Sequence, residues 1–369
     1  MLAHALPFAI SLLFLPAFLA GAVFGGWWIA LLPAYGYAAI ALLDQLQGVS
    51  DENLDPGTPE ERLLWHRAVT WAWAPIQLAI LYGGLAAIFQ SDRLSAGEGI
   101  ALMAVAGIAT GGVGINYAHE LIHQRNRWER RFGRLLLISV LYGHFATEHL
   151  LVHHSHVGTP KDPVTARYNE GFFRFFARVL PGCLVQAWAV ERSRLARRGR
   201  PFWHHANPFW QYGLGALLFL TSAHAIGGWG GVGLWLLQAL VAIYHLELVN
   251  YVEHYGLTRK HLGSGRYEPV RPRHSWNAGH QVSNWLLINL QRHSDHHYKP
   301  DRRFPLLQTY AEDEVPQLPY GYPIMCFIAQ IPPLWRRIMN PKVRKWRATF
   351  YPEITDWRAY SRLALPVPA

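Results

Sequence analysis

Charge is scarce in this chain. Only 16% of its 369 residues are Asp, Glu, Lys or Arg, against about a quarter in soluble proteins, and several windows of nearly membrane-spanning length contain none. That shortage excludes a conventional solvated surface over much of the chain. Cysteine is nearly absent too. Cys183 and Cys326 alone cannot build an iron–sulfur or other four-thiolate site, so any thiolate-based redox carrier must come from another chain. The formal charge of +10 does not point to a nucleic-acid partner, because the basic residues cluster beside hydrophobic spans, where membrane topology accounts for them.

What is present is apolar sequence in blocks, 51% of the residues in all. A membrane crossing takes about 20 mostly apolar residues. Spans are expected at about 6–24, 27–43, 68–89, 100–118, 209–226 and 232–252. The N-terminal run lacks a positive flank and outlasts a signal-peptide core, so it reads as a retained helix. Residues 324–339 are apolar as well, but Pro332-Pro333 argues against a seventh span. The expectation is a single all-α integral membrane domain over 1–369, with six transmembrane helices and a cap formed by 119–205 and 253–369. Six crossings place both termini and the basic segments on one side. By the excess of Lys and Arg that side is the cytoplasm, which suggests a bacterial inner membrane. The acidic 45–67 loop on the same side sits awkwardly with that rule.

Histidine carries the chemistry. His293, His296 and His297 follow the pattern H-x-x-H-H, His149, His153 and His154 follow H-x-x-x-H-H, and His119 and His123 stand four apart. Residues at i, i+3 and i+4 share a helix face, so their rings can converge. His254 closes the sixth span in Asn250-Tyr251-Val252-Glu253-His254. Imidazole suits Zn, Cu, Fe or Ni, and nine such ligands are too many for one ion and about right for two. All the groups emerge on one membrane face. His119-Glu120-Leu121-Ile122-His123 also matches the H-E-x-x-H zinc protease signature, but that motif needs only one further ligand and leaves six histidines idle. A metal transporter would place its ligands in mid-span.

These motifs carry a resemblance. HELIHQ, EHLLVHH, NYVEHYGL and LQRHSDHH, with Arg273-His274-Ser275-Trp276-Asn277, resemble the integral-membrane alkane 1-monooxygenases from about Asp44 to Trp346. More distantly the pattern is similar to membrane xylene monooxygenases, fatty-acid desaturases and hydroxylases. The resemblance implies six membrane helices and a non-haem centre of two Fe ions held by His119, His123, His149, His153, His154, His254, His293, His296 and His297. It further implies electrons from external rubredoxin and its reductase, and insertion of one O2 oxygen into the terminal methyl of a medium- or long-chain alkane drawn from the lipid. Gln124 stands where the family often has Lys, and Leu150-Leu151-Val152 replaces a more polar, glycine-containing spacer.

Ligating imidazoles usually donate their other N–H to a carboxylate or carbonyl. Glu120, Glu148, Asp162, Glu253 and Asp295 are the acidic candidates, with His274 and His280 as further neighbours. Glu247, two turns before His254, suggests a proton path or a hydrogen bond to a ligand. Gly107, Gly111, Gly112 and Gly114 either leave room for substrate near the axis of span four or, with Gly107 and Gly111 as a G-x-x-x-G pair, serve close helix packing. Arg192, Arg194, Arg197, Arg198 and Arg200 either fix topology or steer an acidic rubredoxin.

Overall fold

Glycine pairs set the turns at the end of the bundle remote from the histidines. The computed structural model describes residues 1–357 and Tyr360; the remainder of the expected cap, 358–359 and 361–369, lies outside the described residues. α1 (Leu2–Phe24) and α2 (Gly26–Gln47) meet at Gly25 and Gly26, with φ of +61° and +51°. A side chain is strained in that left-handed region, and glycine is not.

α3 (Glu60–Phe89) and α4 (Ala96–His123) follow. Ser95 caps α4: its hydroxyl accepts the Glu98 N–H at 3.3 Å, and the Glu98 carboxylate accepts the Ser95 N–H at 2.8 Å. The other Glu98 oxygen accepts the Gly26 N–H at 2.7 Å, so this cap also pins the α1–α2 turn. Such a cap contributes ~1 kcal/mol.

Next come α5 (Arg127–Ser139) and α6, which begins as Phe145–Glu148 and continues through the π-helical turn His149–His153 into His154–His156. α7 (Phe172–Ala196) packs beside it. α8 (Pro208–His254) is continuous only in name, because Gly227 and Gly228 leave helical geometry, the latter at φ +57°. In a straight helix Phe219 and Trp235 would stand ~24 Å apart; their rings instead stack with centroids 5.4 Å apart. α8 is therefore two antiparallel arms, and the expected fifth and sixth spans both fall within it. By length and apolar composition five helices can cross a membrane, α1, α2, α3, α4 and α8. The chain is an all-α membrane protein.

The bundle is held by close approach. A Cβ on Gly107 or Gly111 would come within 2.6 Å of the carbonyl oxygens of Gln238 and Ala242 on the second arm of α8. These glycines let two backbones touch, whereas Gly112 faces open space. Several polar groups inside the bundle are paired with one another, as a dry interior favours. The α5 carbonyl of Ser139 accepts from Trp235 Nε1 at 2.9 Å and Gln238 Nε2 at 3.2 Å, and Gln77 donates to the Leu136 carbonyl at 3.2 Å.

The cap contains a two-stranded hairpin, β1 (His261–Gly263) with β2 (Arg266–Tyr267), a small departure from the all-helical expectation. Short helices α9 (Gln281–Leu286) and α10 (His293–Tyr298) follow, then α11 (Tyr322–Ala329) and α12 (Pro332–Phe350). The break before Pro332 separates α11 from α12, and neither belongs to the membrane-capable set. The acidic loop after α2 packs onto the cap. Arg292 donates to the Glu52 carbonyl at 2.8 Å, Ser50 N–H to the Gly279 carbonyl at 2.9 Å, and Arg303 pairs with Glu60. Of its acids Glu60 meets a basic partner there, Arg303 of the cap.

Candidate metal centre

Nine imidazoles meet at one end of the bundle, in two groups. His119, His123, His149, His154 and His296 form one, and His153, His254, His293 and His297 the other; within each, the candidate donor atoms lie within 4.8 Å of one another. The partition differs from what spacing alone suggests. Neighbours in sequence part company: His153 from His154, and His296 from His297.

Local geometry explains the split. The π-helical turn His149–His153 widens the helix so that His154 falls beneath His149, with Nε2 atoms 3.0 Å apart, while His153 faces the other group. π-turns inside α-helices are frequent at functional sites. On α10, His293 and His297 stand one turn apart with Nε2 atoms at 3.0 Å, leaving His296 to reach His154 at 3.2 Å. α10 is approached through Ile288 and Asn289, both left-handed at φ 46° and 58°. A β-branched residue rarely adopts that conformation; the Asn289 side chain holds it by donating to the Phe304 carbonyl at 3.1 Å.

The nitrogen spacing fits metal ligation and does not fit hydrogen bonding. A neutral imidazole Nε2 is either one donor or one acceptor. Yet His149 Nε2 meets both His123 and His154 at 3.0 Å, and His297 Nε2 meets His153 at 3.2 Å and His293 at 3.0 Å. His119 Nε2 is buried with no partner at all. Two nitrogens at right angles about an ion, each ~2.1 Å from it, stand ~3.0 Å apart. Burial, and then repulsion among neighbouring imidazoles, holds His149, His154, His293, His296 and His297 well below the ordinary value of 6.5. They are neutral at pH 7, with lone pairs free for a cation. The donor set can hold metal ions.

Two of the expected acids touch an imidazole. Asp162 Oδ2 lies 3.0 Å from His153 Nδ1, and Glu253 Oε2 lies 3.3 Å from His293 Nε2. Glu120 is instead held by Gln124, whose amide donates to its carboxylate at 2.9 Å, which gives that unusual glutamine a task. Asp295 pairs with Arg302 and Tyr310. Glu148 is fully buried, and burial followed by the nearby Asp162 charge pushes its carboxyl well above the usual range. Glu247 accepts from Tyr142 at 3.1 Å and Asn250 at 3.0 Å, and touches no ligand candidate. His274 bonds Tyr351 at 2.7 Å, away from the nine. Sequence reasoning missed Tyr322, which donates to Glu253 at 3.0 Å; an isolated tyrosine in a cap segment carries no spacing signal. A one-zinc protease site at His119 and His123 is not what surrounds them: three further imidazoles complete that group.

Below His119 lies an apolar cavity of about 60 Å3 between α1, α2, α4, α8 and α11. Its wall includes Phe14, Ile108, Gly112, Leu248 and Tyr322. The cavity is thus one tyrosine ring from Glu253 and the four-imidazole group.

Fold and site together define a membrane metalloenzyme of the fatty acid desaturase class, and residues 94–329 match the family described as fatty acid desaturase. That class depends on iron. The chain is 38% identical over 328 residues to alkane 1-monooxygenase 2 of Pseudomonas aeruginosa, covering 86% of this chain and 84% of the relative. It is 37% identical over 326 residues to an alkane 1-monooxygenase of Pseudomonas putida, covering 87% and 80%. The xylene/toluene monooxygenase hydroxylase component of Pseudomonas putida is 27% identical over 342 residues, covering 89% and 86%. The chain belongs to the alkane 1-monooxygenase family.

Proposed function

We propose that this protein hydroxylates the terminal methyl of medium- or long-chain n-alkanes to 1-alkanols, using O2 and electrons that rubredoxin carries from its reductase. The observation that carries the reading is the pair of imidazole groups, five and four, at the polar end of an apolar bundle. His119, His123, His149, His154 and His296 would hold one iron, and His153, His254, His293 and His297 the other. Bound there, the two irons would supply O2 activation; the remaining requirements fall to the protein.

The residues meet those requirements in definite ways. Asp162 fixes the tautomer of His153 by accepting its Nδ1–H. The rings of Tyr117 and Tyr251, on the helices that end in His123 and His254, and of Tyr255 are fully buried. The cavity orients an alkyl chain delivered from the lipid, with its methyl toward the imidazoles. His123 and His154 are partly exposed while the four-imidazole group is buried, which favours electron entry on the five-imidazole side. Arg194 is paired with Glu191 at 2.7 Å, so Arg192, Arg197, Arg198 and Arg200 remain for an acidic carrier or for topology. Salt titration of the electron-transfer rate separates these roles, since steering fades as ionic strength rises. We read the chain as one domain with six crossings, α8 supplying two, in a bacterial inner membrane with the site on the cytoplasmic side.

The test is turnover of octane by the purified, iron-loaded protein with reduced rubredoxin and 18O2. The expected product is 1-octanol carrying one labelled oxygen. Absence of label from the alcohol refutes the reading. The likeness to the xylene/toluene enzyme favours aryl-methyl oxidation as a second reading, and product analysis with xylene in the mixture distinguishes it.

A further inference from the structure

A larger cavity, of about 440 Å3, opens between α5, α6, α7 and the start of α8. Small-ligand sites run from roughly 300 to 1,000 Å3. α6 contributes Ala146, Thr147, Leu150 and Leu151, which flank His149 in sequence, so the cavity lies at the imidazole end of the bundle. Its wall holds none of the nine clustered histidines. Arg134 of α5, Arg194 of α7 and His205 of the loop before α8 supply its basic groups.

Charge in this cavity is unbalanced. Its one acid, Glu191, is buried and already engaged: Oε1 accepts from the Thr147 hydroxyl at 3.2 Å and Oε2 from Arg194 Nε at 2.7 Å. Arg134, half-buried, donates at 3.3 Å to the neutral Gln211 side chain, and among the described residues no carboxylate pairs with it. A guanidinium carries five N–H donors in a planar fork that matches phosphate oxygens two at a time. Most of the Arg134 donors are therefore left for an anion from outside the chain. Arg194 grips Glu191 through Nε and Nη2, which leaves Nη1 for the same anion.

The rim shows where such an anion comes from. Trp210 lines the cavity and is exposed, its indole N–H donating to the Trp203 carbonyl at 3.1 Å. Trp203 and Trp188, the latter with its ring 5.1 Å from that of Phe209, are exposed as well. Tryptophans gather at the membrane–water boundary. Beyond Trp210, α8 enters its membrane-capable length, and Leu214, Leu217 and Leu218 follow on the same helix face, all exposed. A basic cavity thus opens onto an apolar track that faces outward.

We propose that this cavity is a structural site for one anionic phospholipid. Arg134 and Arg194 hold its headgroup phosphate, and its acyl chains lie along Leu214, Leu217 and Leu218. Basic pockets between membrane helices accept headgroups of this kind. A free phosphate would meet the same guanidinium groups but leave the leucine track bare, which favours the lipid. The bound headgroup braces α6 beside His149, whose imidazole belongs to the metal centre. The proposal stands apart from the reaction and from the alkane's path.

The test uses full-length protein, delipidated in detergent, with dioleoylphosphatidylglycerol, dioleoylphosphatidylcholine and inorganic phosphate as probes. The phosphatidylglycerol is expected to raise the thermal unfolding midpoint and to bind about tenfold more tightly than the phosphatidylcholine, the gain from one charge-assisted hydrogen bond. Arg134→Gln should remove that preference. Ala206→Phe fills the cavity while keeping every charge, and should remove it too, so the test survives an arginine variant that does not fold. Arg198→Gln, exposed and outside the cavity wall, should leave the preference intact. An equal loss in Arg134→Gln and Arg198→Gln would mean diffuse attraction to the basic surface and overturns the site. Inorganic phosphate that stabilises as well as phosphatidylglycerol overturns the lipid assignment, and so does a wild type without preference between the two lipids.

Discussion

Replacing Asp162 by Asn keeps shape and removes charge, and the structure shows what that costs. Oδ2 accepts from His153 Nδ1 at 3.0 Å and from the Thr165 hydroxyl at 2.6 Å, while Oδ1 accepts the Val164 N–H at 3.0 Å. An asparagine has one acceptor oxygen and one NH2 group. If its oxygen stays with His153, the NH2 meets the Val164 N–H donor to donor. If it flips, the NH2 meets His153 Nδ1–H, and the imidazole must surrender the tautomer that leaves Nε2 free. Either way one buried donor is unsatisfied, worth ~1–3 kcal/mol, and the negative charge behind a cation's ligand is gone. Loss of such a partner typically costs 10–100-fold in metal affinity. His153 belongs to the four-imidazole group, so only that iron should weaken. In a chelator titration followed by iron analysis, D162N should release one of its irons at about 10–100-fold lower chelator than wild type, and the other unchanged. Release curves that superimpose on wild type for both irons would refute the argument.

Other expectations follow from packing and charge. Gly111→Val drives a side chain into the Ala242 carbonyl, where even a Cβ would sit 2.6 Å away; it should destabilise the bundle by ~1–3 kcal/mol, read as a lowered unfolding midpoint, whereas Gly112→Ala, which faces open space, should not. Glu129 is buried and accepts from Arg67 Nε and Trp71 Nε1 at 3.0 Å and from Arg303 Nη2 at 2.9 Å, so Glu129→Gln leaves two arginines short of a partner. The cost should be about 3 kcal/mol, and Glu129→Asp should recover part of it. Burial alone would raise the Glu268 carboxyl, but hydrogen bonds from His274, the Lys260 N–H and Tyr351 outweigh it and hold the group below its ordinary 4.5. A depressed carboxyl stabilises the fold above its unfolded value and loses that contribution as pH falls through its folded one. Wild type should therefore lose stability below about pH 4.5, and Glu268→Gln should show a shallower loss over the same range; identical pH profiles would contradict this.

Much of the site could be read from residue order. The nine histidines announce themselves because helix periodicity turns a four-residue spacing into a shared face, and the structure brings all nine together. The division between two groups was not legible: the π-helical turn at His149–His153 that separates His153 from His154 leaves no mark in composition. The two roles weighed for the span-four glycines resolve by position, Gly107 and Gly111 against α8 and Gly112 at the cavity. The acidic neighbours illustrate the same limit. Five flank the motifs, but only tertiary placement shows that Asp162 and Glu253 reach an imidazole.

Metal analysis of the purified protein bears most directly on the whole account. Two irons per chain are expected in wild type, falling to one when His293→Ala opens the four-imidazole group and when His123→Ala opens the other. A single bound zinc, or full iron retention in both variants, would contradict it.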